Sequence, residues 1–120
     1  MEMIVKHADD IAFSKVSMEG VSGTYIQWLA SKTDGAPTFA MRRFRIEPGG
    51  TIPLHDHPWE HEIFILSGRG VAYNDRERRE IGPGDVLFIP PEEPHGYDNT
   101  GDEELTFICM IPNSGDTREG

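Results

Sequence analysis

The sequence predicts an all-β domain, a sandwich or a closed barrel, and three observations carry that expectation. Its 22 glycine and proline residues fall at intervals, in "DGAP", "EPGG", "IGPGD", "IPPEEP" and "NTG", and cut the chain into segments too short for long helices. Between the breaks lie runs rich in Ile, Val, Phe, Thr and Tyr, which suit a pleated, half-buried surface. The length, 120 residues, is enough for one apolar core and not for two, so residues 1–120 are read as a single domain.

Taken in order, the expected strands are "GTYIQWL" (23–29), "TFAMRRFRI" (38–46), "EIFILSG" (62–68), "VAYN" (71–74), "DVLFIP" (85–90) and "LTFICMIP" (105–112). Alternation along a strand assigns an inner face to two of them. In 38–46 the even positions Ala40, Arg42, Phe44 and Ile46 form the better interior, with Arg42 the exception. In 105–112 the inner set is Leu105, Phe107, Cys109 and Ile111. The opposite face of that strand, with Ile108 and Met110, is apolar enough to pack on another sheet or subunit. The stretch "DRERRE" (75–80) is read as solvated, and the polar tail 113–120 as mobile.

The formal net charge of −10 and a pI near 4.8 disfavour nucleic acid and anionic membranes, because no basic surface exists to displace counterions. A single cysteine, Cys109, precludes an intramolecular disulfide and suits a reducing compartment. The first ten residues lack the apolar stretch of a secretory signal, and no run approaches the ~20 apolar residues of a membrane span. Cytoplasmic residence is expected.

The chemistry concentrates in "HDHPWEHE" (55–62). On a strand, His55, His57 and His61 would point one way and Glu60 and Glu62 the other, unless Pro58 resets the alternation. Neutral imidazoles are good ligands for divalent first-row metals, so the histidines are the candidates and the glutamates an outward acidic surface. His95, in "PPEEPHGYDN" (90–99), can join them only if the sheet curls.

These stretches resemble the cupin family. "GGTIPLHDHPWEHEIFILSG" (49–68) is similar to the first cupin motif and "GDVLFIPPEEPHGYDN" (84–99) to the second. Five residues separate Gly49 from His55, six separate His61 from Gly68, and the second motif places Gly84, Pro90, His95 and Asn99 in register. Counting from both glycines puts His61 where the family most often has a glutamate. Glu92 stands where the pattern prefers glycine, so a different backbone path is expected before His95. A spacer of 15 residues between the motifs resembles that of small single-domain bacterial cupins.

The resemblance implies a double-stranded β-helix, a jelly-roll barrel of the RmlC-like kind. One divalent transition metal would be held inside by His55, His57, His61 and His95, as in the four-histidine subgroup. Manganese or iron is the expected ion, with copper, nickel or zinc as alternatives, and the chain is expected to form a homodimer. Four imidazoles leave such an ion its full charge, which favours anionic ligands. Zinc would be closed by four ligands, whereas octahedral manganese or iron would keep two open positions, as a dioxygenase needs.

A small-molecule pocket is expected from Arg42, Phe44, Phe107, Cys109 and Ile111. Arg42 is a clamp for an anionic substrate, half of a structural ion pair, or a side chain snorkelling at the barrel mouth. Cys109 is read as pocket lining, Trp28 and Trp59 as packing or dimer contacts, and His7 as a surface histidine. No residue presents itself as a general base, so the metal would carry the chemistry. The leading reading is a metal-dependent oxygenase acting on a small anionic or enolisable molecule. A Lewis-acid lyase or isomerase and a non-catalytic binding or sensing module are the alternatives.

Overall fold

The computed structural model describes residues 2–118. Among them the strands are β1 (Ser14–Lys15), β2 (Ser22–Ala30), β3 (Phe39–His55), β4 (His61–Ser67), β5 (Gly70–Tyr73), β6 (Arg78–Ile81), β7 (Val86–Ile89), β8 (His95–Asp98) and β9 (Leu105–Pro112). Three single 3-10 turns, Ala8–Asp10, Lys32–Asp34 and Asn113–Gly115, are the helical pieces of the described residues. None of these is long and apolar enough to cross a membrane.

Each expected run contains a strand. The structure adds β1, β6 and β8, of which β6 occupies the charged stretch read as merely solvated. It pairs with β5 along one side and leaves Arg78, Arg79 and Glu80 exposed.

The strongest departure concerns β3. The glycines of "EPGG" bend this strand without ending it, and it continues for 17 residues. Gly49 has φ +81°, a conformation that side chains rarely adopt. At Gly50 a Cβ would lie 2.8 to 2.9 Å from Ile46 Cγ2, Glu47 O and Ser22 O. A side chain there has no room, so the corner requires glycine.

The bend lets one strand serve both sides of a barrel. Residues 39–46 pair with β2 and β9, while residues 51–55 pair with β8. The strand order is β6-β5-β8-β3-β9-β4-β7, with β2 also on β3. β4 and β8 are two strands apart from being neighbours in that order, yet the rings of His61 and His95 lie 5.0 Å apart. The sheet therefore curls on itself into the jelly-roll barrel that the resemblance implies.

The core fills the curl as alternation places it. Ala40, Phe44 and Ile46 from β3 meet Ile63 and Ile65 from β4 and Leu105, Phe107, Cys109 and Ile111 from β9, all buried. Phe44 and Phe107 stack at 5.2 Å. Burying each large apolar side chain contributes about 1.5–3 kcal/mol. On the outer face, Phe64 faces Val86 and Ile108 across the strands, and Phe64, Val86 and Phe88 stay exposed.

The tail is not free as far as it is described. The turn Asn113–Gly115 folds it back, Asp116 is buried, and Arg118 pairs with Asp116 at 2.8 Å. The guanidinium of Arg118 also lies over the Trp28 ring at 3.6 Å, and Lys32 Nζ donates to the carbonyls of Asp116 and Arg118. Polar residues dock here because charge pairs and backbone carbonyls, not apolar area, hold them. The expected mobility of residues 119 and 120 lies outside the described residues.

The turn before His95 takes the conformation a glycine would. Glu92 has φ 69° and is the one non-glycine with positive φ among the described residues. Its N–H donates to His57 O at 2.9 Å, tying the two motifs together. The different path expected from the missing glycine is not needed, because a side chain tolerates this region at the cost of strain.

Two substitutions test these backbone constraints. Gly50→Ala is expected to destabilise the protein by about 1–3 kcal/mol in urea unfolding, since the corner cannot expand. Glu92→Gly is expected to stabilise it by roughly 0.5–1 kcal/mol, the relief of left-handed strain exceeding the entropy cost of glycine.

Candidate metal centre and its cavity

β3 ends on His55 and β8 begins on His95, and the register sets the two directly opposite each other with ring centroids 4.2 Å apart. His57 follows in the loop to β4. The ligand atoms of His55, His57 and His95 all lie within 4.8 Å of one another. Residues 56–60 form a loop, not part of a strand, yet Glu60 and Glu62 remain outward and exposed, as alternation places them.

The backbone sets the tautomer of these three rings. His55 Nδ1 lies 2.8 Å from Pro53 O, His57 Nδ1 3.0 Å from Trp59 O, and His95 Nδ1 2.8 Å from Glu93 O. A carbonyl can only accept, so each Nδ1 carries the proton and each Nε2 presents a lone pair. His95 Nε2 is buried without a partner. A buried acceptor left unmet costs about 1–3 kcal/mol, and a metal ion would satisfy it. The donor set thus fits a first-row divalent ion.

His61, on β4, is held differently. Its Nε2 is 2.7 Å from His57 Nε2, but it stands outside the mutually close group of three. Its Nδ1 lies 2.9 Å from Cys109 Sγ and 3.3 Å from Arg42 Nη2. A guanidinium can only donate, so here Nδ1 accepts and the ring proton sits on Nε2, donating to His57. For His61 to act as a fourth ligand, that proton must leave Nε2.

Burial favours the neutral form of His57, His61 and His95. It pushes His61 down to about 2, helped by the Arg42 charge, and His95 down to about 4 against the raising effect of the Glu93 carbonyl. His57 is also lowered, chiefly by burial. Burial holds the Cys109 thiol above its usual value despite the Arg42 charge, and the Tyr97 hydroxyl well above its own. Neutral imidazole is the form that binds metals.

The histidines open onto a cavity of about 580 Å³. Four of the expected pocket residues, Arg42, Phe44, Phe107 and Cys109, line it. Ile111 does not. It faces Ala40 within the core, and the returning tail puts Gly115 on the wall instead, against Trp59. Trp28 and Trp59 pack against the core as expected and also line the cavity, and Trp59 stacks on His57 at 4.2 Å.

Sequence reasoning missed several lining residues, among them the polar pair Tyr97 and Asp56 and the apolar Val16, Val21, Ile26 and Ile52. Tyr97 follows His95 by two positions on β8, so alternation from the histidine finds it. Asp56, an exposed carboxylate between His55 and His57, carries no such signal, because its position depends on the loop. His7 is exposed and accepts a hydrogen bond from Asp9 N, a surface histidine as expected.

Arg42 is buried, and among the described residues no carboxylate lies within 4.0 Å of it, so the structural ion pair is absent. Its guanidinium instead faces the rings of Phe44 at 4.9 Å and Trp28 at 5.5 Å.

The family model of the cupin domain (Cupin_2) matches residues 42–111. The chain is 39% identical over 70 residues to the oxalate-binding protein of Thermotoga maritima, a match covering 58% of each. Matches of this kind span about half the length of the curated relatives. Among solved structures, the polyketide cyclase RemF from Streptomyces resistomycificus superposes with a TM-score of 0.89 at 32% identity, over 93% of this chain and 80% of that one. A predicted oxalate decarboxylase from Thermotoga maritima superposes with a TM-score of 0.80 at 31% identity, over 91% and 98% of the two chains.

The buried neutral histidines make the metal-free protein acid-sensitive. Because the folded values of about 2 and about 4 lie below the ordinary 6.5, the unfolded chain takes up protons that the native state refuses as pH falls below 6.5. Their contribution is present above that value and lost below it. Between pH 7 and pH 5 the loss should be on the order of 1–2 kcal/mol per histidine. Urea midpoints of chelator-treated protein check this, and His61→Asn or His95→Asn should flatten the dependence.

Proposed function

The chain belongs to the cupin domain family, and from that premise we propose that it is a metal-dependent enzyme acting on an enolisable aromatic, polyketide-like substrate, which it cyclises. His55, His57 and His95 hold one divalent first-row ion, manganese or iron by preference, with His61 beside them as the fourth imidazole. The observation that carries the substrate class is the cavity. At about 580 Å³, walled by Trp28, Phe44, Trp59 and Phe107, it is far larger and more apolar than a two-carbon dianion requires. The similarity to a polyketide cyclase over most of both chains supports the same reading.

When bound, the ion supplies Lewis-acid polarisation of a substrate carbonyl, which lowers the cost of removing the adjacent proton. The chain's residues do the rest. The carbonyl-anchored imidazoles are held in fixed orientation by their Nδ1 hydrogen bonds, so little reorganisation is needed at the moment of reaction. The aromatic walls stack the growing ring system and exclude water, bringing the nucleophilic carbon against a second carbonyl of the same molecule. Asp56 is the carboxylate on the cavity wall and takes the proton from carbon. As the carbon–carbon bond forms, Asp56 returns that proton to the attacked oxygen; the nucleophilic carbon then loses its second proton through Asp56 to the departing hydroxyl, so water leaves and a carbon–carbon double bond remains.

An oxygenase acting on the same substrates is the second reading. It is favoured by the all-imidazole donor set, which preserves the ion's charge for oxygen chemistry. The test is metal analysis of untagged protein by mass spectrometry, followed by incubation with an aryl poly-β-ketone. Product that has lost water supports the cyclase, product that has gained oxygen with oxygen uptake supports the oxygenase, and unchanged but bound ketone leaves a binding module. His57→Ala and His95→Ala should each lower metal affinity by at least about 100-fold while preserving the fold.

A further inference from the structure

Of the arginines in this acidic chain, Arg45, Arg76, Arg78, Arg79 and Arg118 each pair with a carboxylate, and all are more exposed than Arg42. Carboxylates outnumber Lys and Arg 21 to 11, so a partner for the buried guanidinium was available in composition and is missing in space. Its polar contacts are Cys109 Sγ at 2.9 Å and His61 Nδ1 at 3.3 Å, both through Nη2, and its Nε is buried with no partner. An unpaired charge taken out of water is costly unless something else compensates it.

The group is also held still and aimed. Arg42 lies near the start of β3, between β2 and β9, opposite Trp28 on one side and Cys109 on the other, and all three line the cavity. The Phe44 and Trp28 rings beside the guanidinium partly stabilise the cation without neutralising it. Apolar walls around a fixed cation strengthen its attraction for an anion within the cavity.

We infer that Arg42 is an anion-holding group, and that the cavity takes aromatic molecules carrying an ionised oxygen (carboxylate, phenolate or enolate), which the guanidinium grips while the Trp28, Phe44 and Trp59 rings hold the aromatic body. This rests on the proposed use of the cavity as the substrate site and names the charge of its occupant.

The probes are 2-naphthoate and its neutral counterpart 2-naphthamide, titrated calorimetrically into the full chain after chelator treatment, so that no metal can bind the carboxylate. Wild type is expected to bind naphthoate at least about tenfold tighter than naphthamide. Arg42→Gln and Arg42→Met, confirmed folded by near-ultraviolet circular dichroism, are expected to bind the two alike. Equal affinities in wild type, binding of neither probe, or a naphthoate preference that survives in a folded variant would each overturn the inference. The wild-type comparison needs no variant to fold, and it is independent of turnover. A protein that prefers naphthoate but cyclises nothing refutes only the proposed reaction, and one that cyclises without that preference refutes only the anion site.

Discussion

The corner in β3 is the constraint on which the rest of the molecule depends. A strand that stopped at Pro48 would leave residues 51–55 outside the sheet, and β8 would have no edge to join. With Gly49 in the left-handed region and Gly50 pressed against backbone oxygens, the same strand turns from β9 to β8. His55 then sits at the far end of a strand whose near end carries Arg42 and Phe44. Cavity wall and histidine rim are thus parts of one continuous element, and their spacing is set by backbone geometry.

Around that corner the chain solves a polar problem with its own main chain. Imidazoles in a mostly apolar barrel need partners, and three of them find carbonyls two residues away in sequence. Those short loops of bonding leave every second nitrogen free on the same side. The arrangement on β4 is of another kind, because His61 answers to side chains from β3 and β9. Three imidazoles are therefore positioned locally and one by tertiary packing. The difference explains why only three form a mutually close group.

How much of this could be read in the sequence follows the same division. The inner faces of residues 38–46 and 105–112 were legible because alternation is a local rule, and the histidines were legible because their spacing within a glycine frame is local too. "EPGG" misled because its turn chemistry is real but serves as a bend, and only the close approach of Ser22 from another strand decides which. Ile111 was misplaced for a different reason: its inward face is right, but register sets it against Ala40 in the core, and the wall gains Gly115 from a tail that folds back through Asp116 and Arg118 onto Trp28, some 90 positions upstream. Polar tails give no hydrophobic signal of docking.

The place of β9 between β3 and β4 has a consequence in time. It is the last of the described strands in chain order, yet β4 reaches β3 only through it. The pairing of β3 with β8 can set His55, His57 and His95 together while residues 105–112 are still unmade. His61, Cys109 and Arg42 converge only when β9 slots between two strands far upstream, a long-range closure of the kind that folds slowly. The site is assembled in two instalments, a histidine rim first and a finished chamber afterwards. The rim can thus exist before the chain has an inside for it to border.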